Sequence, residues 1–386
     1  MFPRACRFVV ALLLCLTLRS AAIPADEPAD KPAPAWKYTP EQLRPFWQGD
    51  TVLGESLLFL KASEEEPARA KVYFPIVRVL SVTNSAGTMT YEEGRDYTWQ
   101  AGSREIVLPA GSRIVAKTPA DLRRPPKTQK YALTHRDGNG EIFFASGLEY
   151  HEMQTAVTYT HAADEWKGPK PEFAEKSLAR TIGKLRAKQP VNIVLLGDSI
   201  STGCNASGWA KGAPFQPAWQ DLLREHLAAH HETTVTLENL AVGGTSTPWG
   251  VTMADKVAEA KPDLVLLAFG MNDSSGRPTA EYEANISAII KKVREARPET
   301  DFILVATMLG NRDWVALKPE LFPQYRDSLA KLTGPGVALA DLTTTWATLF
   351  QQKQDWDLTG NGVNHPNDFG HRIYAQTISA LLIPPK

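Results

Sequence analysis

The chain has 386 residues, 43% of them hydrophobic and 22% charged, with a formal net charge of −1. That length exceeds what one hydrophobic core usually serves, so two domains are the default. The near-zero charge argues against nucleic acid or an anionic membrane as the main partner, since both are met by basic surfaces.

The N-terminus opens on the basic stretch MFPRACR, runs through the apolar segment FVVALLLCLTL and leaves by RSAA. This is the pattern of a secretory signal peptide, too short to span a bilayer. Cleavage is expected after Ala22, with Ala25 as second choice, and the protein is expected to be secreted or periplasmic, with no membrane span. Cys15 follows a bulky leucine, which speaks against a lipid anchor. Once the leader is gone only Cys204 remains of the three cysteines, so no intramolecular disulfide can staple the fold.

Residues 23–45 are rich in Pro, Ala and charge and read as a tether. Residues 46–165 break into short β-like runs such as TVLGESLLFL, AKVYFPIVRVLSVTN, REIVLPA and TAVTYTH. Turn signals (NSAG, AGS, DGNG) separate them, and a small antiparallel β-sandwich is expected. It serves either as a packing partner for the second domain or as a carbohydrate-binding module offering Trp99, Tyr150 and Tyr159. Aromatics in strand-like runs are usually core, which favours packing. Residues 166–190 hold a Gly-Pro-Lys-Pro linker and then an amphipathic helix with Phe173, Leu178, Ile182 and Leu185 on one face.

From Val191 onward apolar runs at 192–196, 235–240, 264–269, 302–306 and 337–340 alternate with helical patterns at 218–229, 249–260, 279–296, 320–332 and 368–382. Strand and helix in alternation predict a parallel sheet with helices on both faces over 191–386. Ligands of such sheets bind at the carboxyl ends of the strands. There the sequence carries Gly197-Asp198-Ser199 after the first strand, Gly243-Gly244 after the second and Gly270-Met271-Asn272-Asp273 after the third. GVNHPNDFGH, with His365, precedes the last helix.

Ester hydrolysis by a serine needs an exposed hydroxyl, a base, donors for the tetrahedral oxyanion and a group that orients the base. Ser199 can be the nucleophile and His365 the base. The backbone N–H groups of Ser199 and Gly244, with the neutral Asn272 amide, can be the oxyanion donors. Asp273 reads as a residue that shapes its turn. The four blocks, in this order, resemble those of the SGNH/GDSL hydrolases, and the likeness covers about half of the chain. The resemblance implies a flavodoxin-like three-layer α/β/α fold and ester hydrolysis through an acyl-serine.

One position departs from the family pattern. Where an aspartate commonly stands three residues before the histidine, this chain has Gly362, and the neutral Asn361 cannot replace the missing charge. Either a backbone carbonyl near Gly362 orients the ring, giving a Ser-His dyad, or Asp357 or Asp368 substitutes. The dyad is preferred, because Asp368 lies beyond the histidine and reads as a helix cap.

Trp209 and Trp249 follow the first and second blocks and could line a substrate cleft. His371 reads as structural and Cys204 as a buried small apolar group. His230-His231-Glu232 lacks the spacing of a zinc site, and no phosphate-cradling loop is present, so neither metal nor cofactor is expected. The reading is a secreted serine esterase acting on short-acyl, chiefly acetyl, esters of carbohydrate. The alternatives are a lipid or aryl ester hydrolase of the same fold, or an inactive secreted glycan-binding protein. The sugar, the acyl group and the oligomeric state stay open.

Overall fold

The computed structural model describes residues 35–63 and 65–385; the expected leader and residues 23–34 lie outside them. The end of the expected tether is docked rather than free. Its short helix α1 (Pro40–Leu43) buries Leu43, and Phe46 and Trp47 follow it into the core.

The β-rich half consists of β1 (Thr51–Leu60), β2 (Arg69–Lys71), β3 (Arg78–Asn84), β4 (Thr98–Trp99), β5 (Glu105–Val107), β6 (Ala116–Lys117), β7 (Arg123–Arg124), β8 (Glu141–Ile142) and β9 (Gln154–Thr160). All but β7 and β8 join one seven-stranded sheet in the order β3-β9-β1-β2-β5-β4, with β6 beside β1. The strands expected as a sandwich therefore close as a single curled sheet, a half-barrel. Long β1 can serve several neighbours because it is bulged between Val52 and Glu55, where Gly54 takes a positive φ of 54°. Tyr150 and Tyr159 are buried, so neither offers a ring face to a ligand.

A connecting helix α2 (Ala179–Arg186) leads into the second half, shorter than its apolar pattern suggested. There β10 (Val191–Gly197), β11 (Val235–Asn239), β12 (Leu264–Ala268), β13 (Asp301–Ala306) and β14 (Val337–Asp341) form an all-parallel sheet in the order β11-β10-β12-β13-β14. The intervening helices are α3 (Trp219–His231), α4 (Thr247–Thr252), α5 (Ala254–Glu259), α6 (Thr279–Ala296), α7 (Leu321–Lys331), α8 (Leu342–Leu349), α9 (Asp355–Leu358) and α10 (Asp368–Leu382). The helix expected over 249–260 starts earlier and breaks at Met253 into α4 and α5. The unexpected α8 is started by Asp341, whose carboxylate accepts the Thr344 N–H at 2.8 Å.

Alternate residues of each strand enter two separate cores, as a sheet covered on both faces requires. Ile193, Leu195, Leu264 and Leu266 pack with residues of α2, α3, α8 and α10. Val194, Leu196, Val265 and Leu267 pack with α5, α6 and α7. The first core continues without interruption into the half-barrel through Phe59, Phe74 and Val157. Lys353 fastens the same junction. Its ammonium is fully buried, 2.7 Å from Glu55 Oε1, and donates to the carbonyls of Ser56 (3.0 Å) and Lys71 (2.8 Å). Among the described residues no helix is long and apolar enough to cross a membrane.

Candidate active site

Strand β10 ends at Gly197 because nothing larger fits: a β-carbon there would lie 2.6 Å from the Ala268 carbonyl of β12. The chain then turns tightly. Asp198 Oδ1 accepts the Ile200 N–H at 3.0 Å, and the Asp198 carbonyl accepts the N–H groups of Ser201 and Thr202 at 3.1 Å. The turn sets Ser199 past the carboxyl edge of the sheet. The chain leaves β10 for β11 on one side and returns to β12 on the other, so Ser199 stands at the topological switch point, where open α/β sheets hold their ligands.

His365 reaches this serine from the far end of the sequence. Its Nε2 lies 2.9 Å from Ser199 Oγ and its Nδ1 lies 2.7 Å from Asn205 Oδ1. The Asn205 amide is oriented by what surrounds its nitrogen: Nδ2 faces the carbonyls of Gly360 (3.2 Å), Gly147 (3.4 Å) and Ala145 (3.5 Å). Its oxygen must therefore face the imidazole. That assigns the ring hydrogen to Nδ1 and leaves the Nε2 lone pair to accept the Ser199 hydroxyl. Burial pushes the His365 imidazole down to about 4, so at neutral pH the ring is uncharged and able to take a proton.

The loop that presents the histidine is shaped by Asn361. Its side-chain oxygen accepts the backbone N–H groups of Val363 (2.8 Å), Asn364 (2.9 Å) and His365 (3.2 Å). Gly362 has φ +85°, and a β-carbon there would collide with the Phe143 carbonyl of the β-rich half.

The second and third blocks lie beside Ser199. A β-carbon at Gly243 would come 3.6 Å from Ser199 Cβ, whereas Gly244, at φ +80°, opens onto free space. Asn272 Nδ2 donates one hydrogen to the Thr245 carbonyl at 2.8 Å, which ties these two blocks together. An amide nitrogen carries two hydrogens, so the second is left for a ligand. Asp273 accepts Thr247 Oγ1–H at 2.7 Å and Arg277 Nε–H at 2.6 Å, and so holds the start of α4.

Residues 195–373 match the GDSL-like Lipase/Acylhydrolase family. The chain carries a GDSL-like lipase/acylhydrolase domain. No curated protein was matched by the chain. Among solved structures, a two-domain esterase active on acetylated mannans, crystallised with mannopentaose, is similar at 20% identity and a TM-score of 0.44, over 56% of this chain and 55% of that one. The match thus spans little more than half of that esterase's length. The acetyl xylan esterase AlAXEase is similar at 21% identity and a TM-score of 0.40, over 50% of this chain and 100% of its own. A lipase/acylhydrolase from Enterococcus faecalis is similar at 24% identity and a TM-score of 0.39, over 49% and 93% of the two chains.

Within the GDSL-like domain the structure corrects the expected orienting group. Asp357 is spent elsewhere: Oδ1 accepts the Leu58 N–H and Oδ2 the Gln354 N–H, both at 3.0 Å, and Lys353 stands 3.8 Å away. Asp368 Oδ1 accepts the Ser207 N–H at 2.8 Å. It does not cap α10 either, because Asn367 does so by accepting the Gly370 N–H at 3.0 Å. The Gly362 carbonyl accepts from Asn311 Nδ2 at 2.9 Å. None of these three is on the imidazole; Asn205 is.

Trp249 sets its ring edge on Phe269 and packs against the second core, so it is a packing residue. Trp209 is 45% exposed on the loop that also carries Asn205, and Phe215 is exposed on the same loop. His371 is fully buried, with Nδ1 accepting the Trp219 N–H and Nε2–H donating to the Cys204 carbonyl, both at 3.2 Å. It thereby pins the loop from inside. Cys204 itself is only half-buried.

Asn205 is the site residue that sequence reasoning passed over; Asn361 was weighed only as a substitute for the missing charge, not as the residue that shapes the histidine loop. The absence of an aspartate at 362 signals that the third group comes from elsewhere. Nothing in the string says where, since the contact joins positions 160 residues apart.

Proposed function

We propose that the protein is an exported serine esterase that removes short acyl groups, acetyl foremost, from carbohydrate. The observation that carries the hydrolytic part is the hydrogen-bonded relay from Ser199 through His365 to Asn205. His365 Nε2 takes the Ser199 hydroxyl proton as Oγ attacks the ester carbonyl, and the tetrahedral oxyanion forms beside Ser199 N–H, Gly244 N–H and Asn272 Nδ2–H. The same proton passes from Nε2 to the leaving sugar oxygen, the C–O bond breaks, and an acyl-serine remains. Water then gives its proton to Nε2 and attacks the acyl carbon. Return of that proton to Ser199 Oγ releases the carboxylic acid.

The substrate class rests on three features. The N-terminal 22 residues have the pattern of an export signal. Trp209 and Phe215 hold two exposed apolar rings on the loop beside the nucleophile, surfaces of the kind on which a sugar ring stacks. The 710 Å³ cavity bounded by Trp36, Gln154, Gln216 and Arg372 is lined by neither Ser199 nor His365, so it is not an acyl tunnel to the nucleophile.

The test is a chain-length series of chromogenic esters, from acetate to octanoate, together with acetate release from acetylated polysaccharides. Wild type is expected to prefer acetate. Ser199→Ala is expected to lose about 10⁴-fold or more in kcat, the scale seen when a serine hydrolase loses its nucleophile. Equal turnover by wild type and Ser199→Ala would reject the catalytic assignment, and a preference for octanoate would reject the acetyl one.

A further inference from the structure

We infer that the third position of this relay is built to take an amide and to reject a carboxylate, and that the β-rich half enforces the choice. The inference rests on the esterase reading above. Its geometry has two parts, both supplied by the segment 143–147. At Gly362, where the family commonly has its aspartate, the Phe143 carbonyl occupies the space a side chain would need. The backbone there is also left-handed, at φ +85°, which any β-carbon strains. The family's usual carboxylate is thus shut out.

At Asn205 the same segment does the opposite and builds a socket. The carbonyls of Ala145 and Gly147, with that of Gly360, present three acceptors to the amide nitrogen at 3.2–3.5 Å. The Ala145 N–H donates to the Asn361 carbonyl at 3.1 Å, which locks the segment to the histidine loop. Gly360 packs so closely that a β-carbon there would lie 2.7 Å from Asn205 Cβ. An NH₂ group offers two hydrogens to this ring of acceptors. A carboxylate oxygen in its place would face three partial negative charges with no hydrogen to offer, an arrangement that disfavours the charged form. Asn205 has φ +66°, a conformation Asn and Asp both tolerate, so the selection acts on the side chain rather than on the backbone.

The ionisable groups packed around this amide are His365 itself, His371 against the Cys204 carbonyl, Asp368 on the Ser207 N–H, and Glu149, whose Oε2 accepts the Gly147 N–H at 2.9 Å. Among the described residues only the His365 ring, of these groups, hydrogen bonds to the Asn205 side chain. Asn205 is therefore a positioning residue: it fixes the tautomer and the angle of the base and touches no substrate.

The experiment compares the full-length protein with Asn205→Asp and Asn205→Ala in steady-state hydrolysis of a chromogenic acetate from pH 4.5 to 8.5. The ¹⁵N resonances of His365 are read in parallel in a Ser199→Ala background. Asn205→Ala is expected to lose roughly 10²–10⁴-fold in kcat with KM little changed, as when a triad's orienting group is disabled. Asn205→Asp is expected to be equally poor at pH 8 and to recover as pH falls. Once protonated, its OH can donate to one of the surrounding carbonyls, that of Gly360 lying nearest, while its C=O accepts from Nδ1–H. A purely structural role would not produce that acid-side recovery.

The ¹⁵N shifts are expected to report hydrogen on Nδ1 and none on Nε2. Asn205→Asp equal to or faster than wild type at pH 8, Asn205→Ala within threefold of wild type, or an Nε2–H tautomer would each overturn the inference. Wild type inactive on every ester would instead sink the esterase reading, leaving the tautomer measurement to judge the socket by itself.

Discussion

The two ends of the proposed catalytic relay are built in different ways. The nucleophile end is local: Gly197, Asp198, Ser199, Ile200 and Ser201 form one tight turn whose hydrogen bonds close within four residues. The orienting end is assembled from distant pieces. Asn205 comes from the loop after β10, Gly360 and His365 from the loop before α10, and Ala145 and Gly147 from the β-rich half. A local turn keeps its shape as long as its strand is held. An assembled site keeps its shape only as long as the halves stay in register. The half-barrel is therefore a part of the site's framework, and whatever loosens the junction should disturb the base before it disturbs the nucleophile.

The largest expected effect comes from breaking that junction. Lys353→Met leaves Glu55 buried beside Asp357 without a cation. Stripping one partner from a buried ion pair typically costs about 3–5 kcal/mol, so Tm from thermal unfolding should drop sharply. Adding Glu55→Gln to the same protein removes the stranded charge and should recover much of the loss. If Lys353→Met unfolds at the wild-type temperature, the buried pair is not what fastens the halves.

The same contrast decides what could be read from the string. The five parallel strands were legible because each is a short apolar run followed by a helical pattern, and both signals are local. The placement of Ser199, Gly243-Gly244, Asn272 and His365 was legible too, each sitting in a compact block at a strand or helix end. The curling of the β-rich half into one sheet was not legible, because pairing β1 with both β9 and β2 is a choice among partners that alternation alone does not rank. Asn205 stayed hidden for a related reason. Its role is conferred by carbonyl oxygens, and every residue has one. Asp357 and Asp368 drew attention because a carboxylate is the expected partner for an imidazole, yet their charges are used on Leu58, Gln354, Lys353 and Ser207.

The pH dependence of turnover sharpens the comparison at the orienting end. In the proposed mechanism the active base is the neutral ring, and burial holds His365 at about 4 instead of its ordinary 6.5. kcat/KM should therefore stay flat from neutral pH down to about pH 5 and fall tenfold per unit below about 4. A carboxylate on Nδ1 would stabilise the imidazolium and move that limb upward. Short assays at each pH, with circular dichroism confirming that the protein is still folded, make the measurement. An acid limb near 6.5 or above would contradict a neutral amide partner.

The remaining effect belongs to the Ser199 end, and it isolates the local turn. Burial lifts the Asp198 carboxyl to about 7 from its ordinary 3.8, the accepted Ile200 N–H opposing the rise and nearby Asp273 adding to it. Between those two values the unfolded chain has already lost the proton that the folded protein keeps. The stability that Asp198 contributes is therefore lost as pH rises from about 4 to about 7, and the loss levels off above that. The substitution Asp198→Asn would keep an oxygen to accept the Ile200 N–H and would not titrate. The Tm of Asp198→Asn minus that of wild type should accordingly grow between pH 4 and 7 and then become constant. Groups that titrate elsewhere, such as His365 and His371, cancel in the difference because both proteins contain them. A difference that shrinks as pH rises would mean that Asp198 is ionised in the folded protein, and that the turn holding Ser199 stabilises a charge rather than burying a neutral acid.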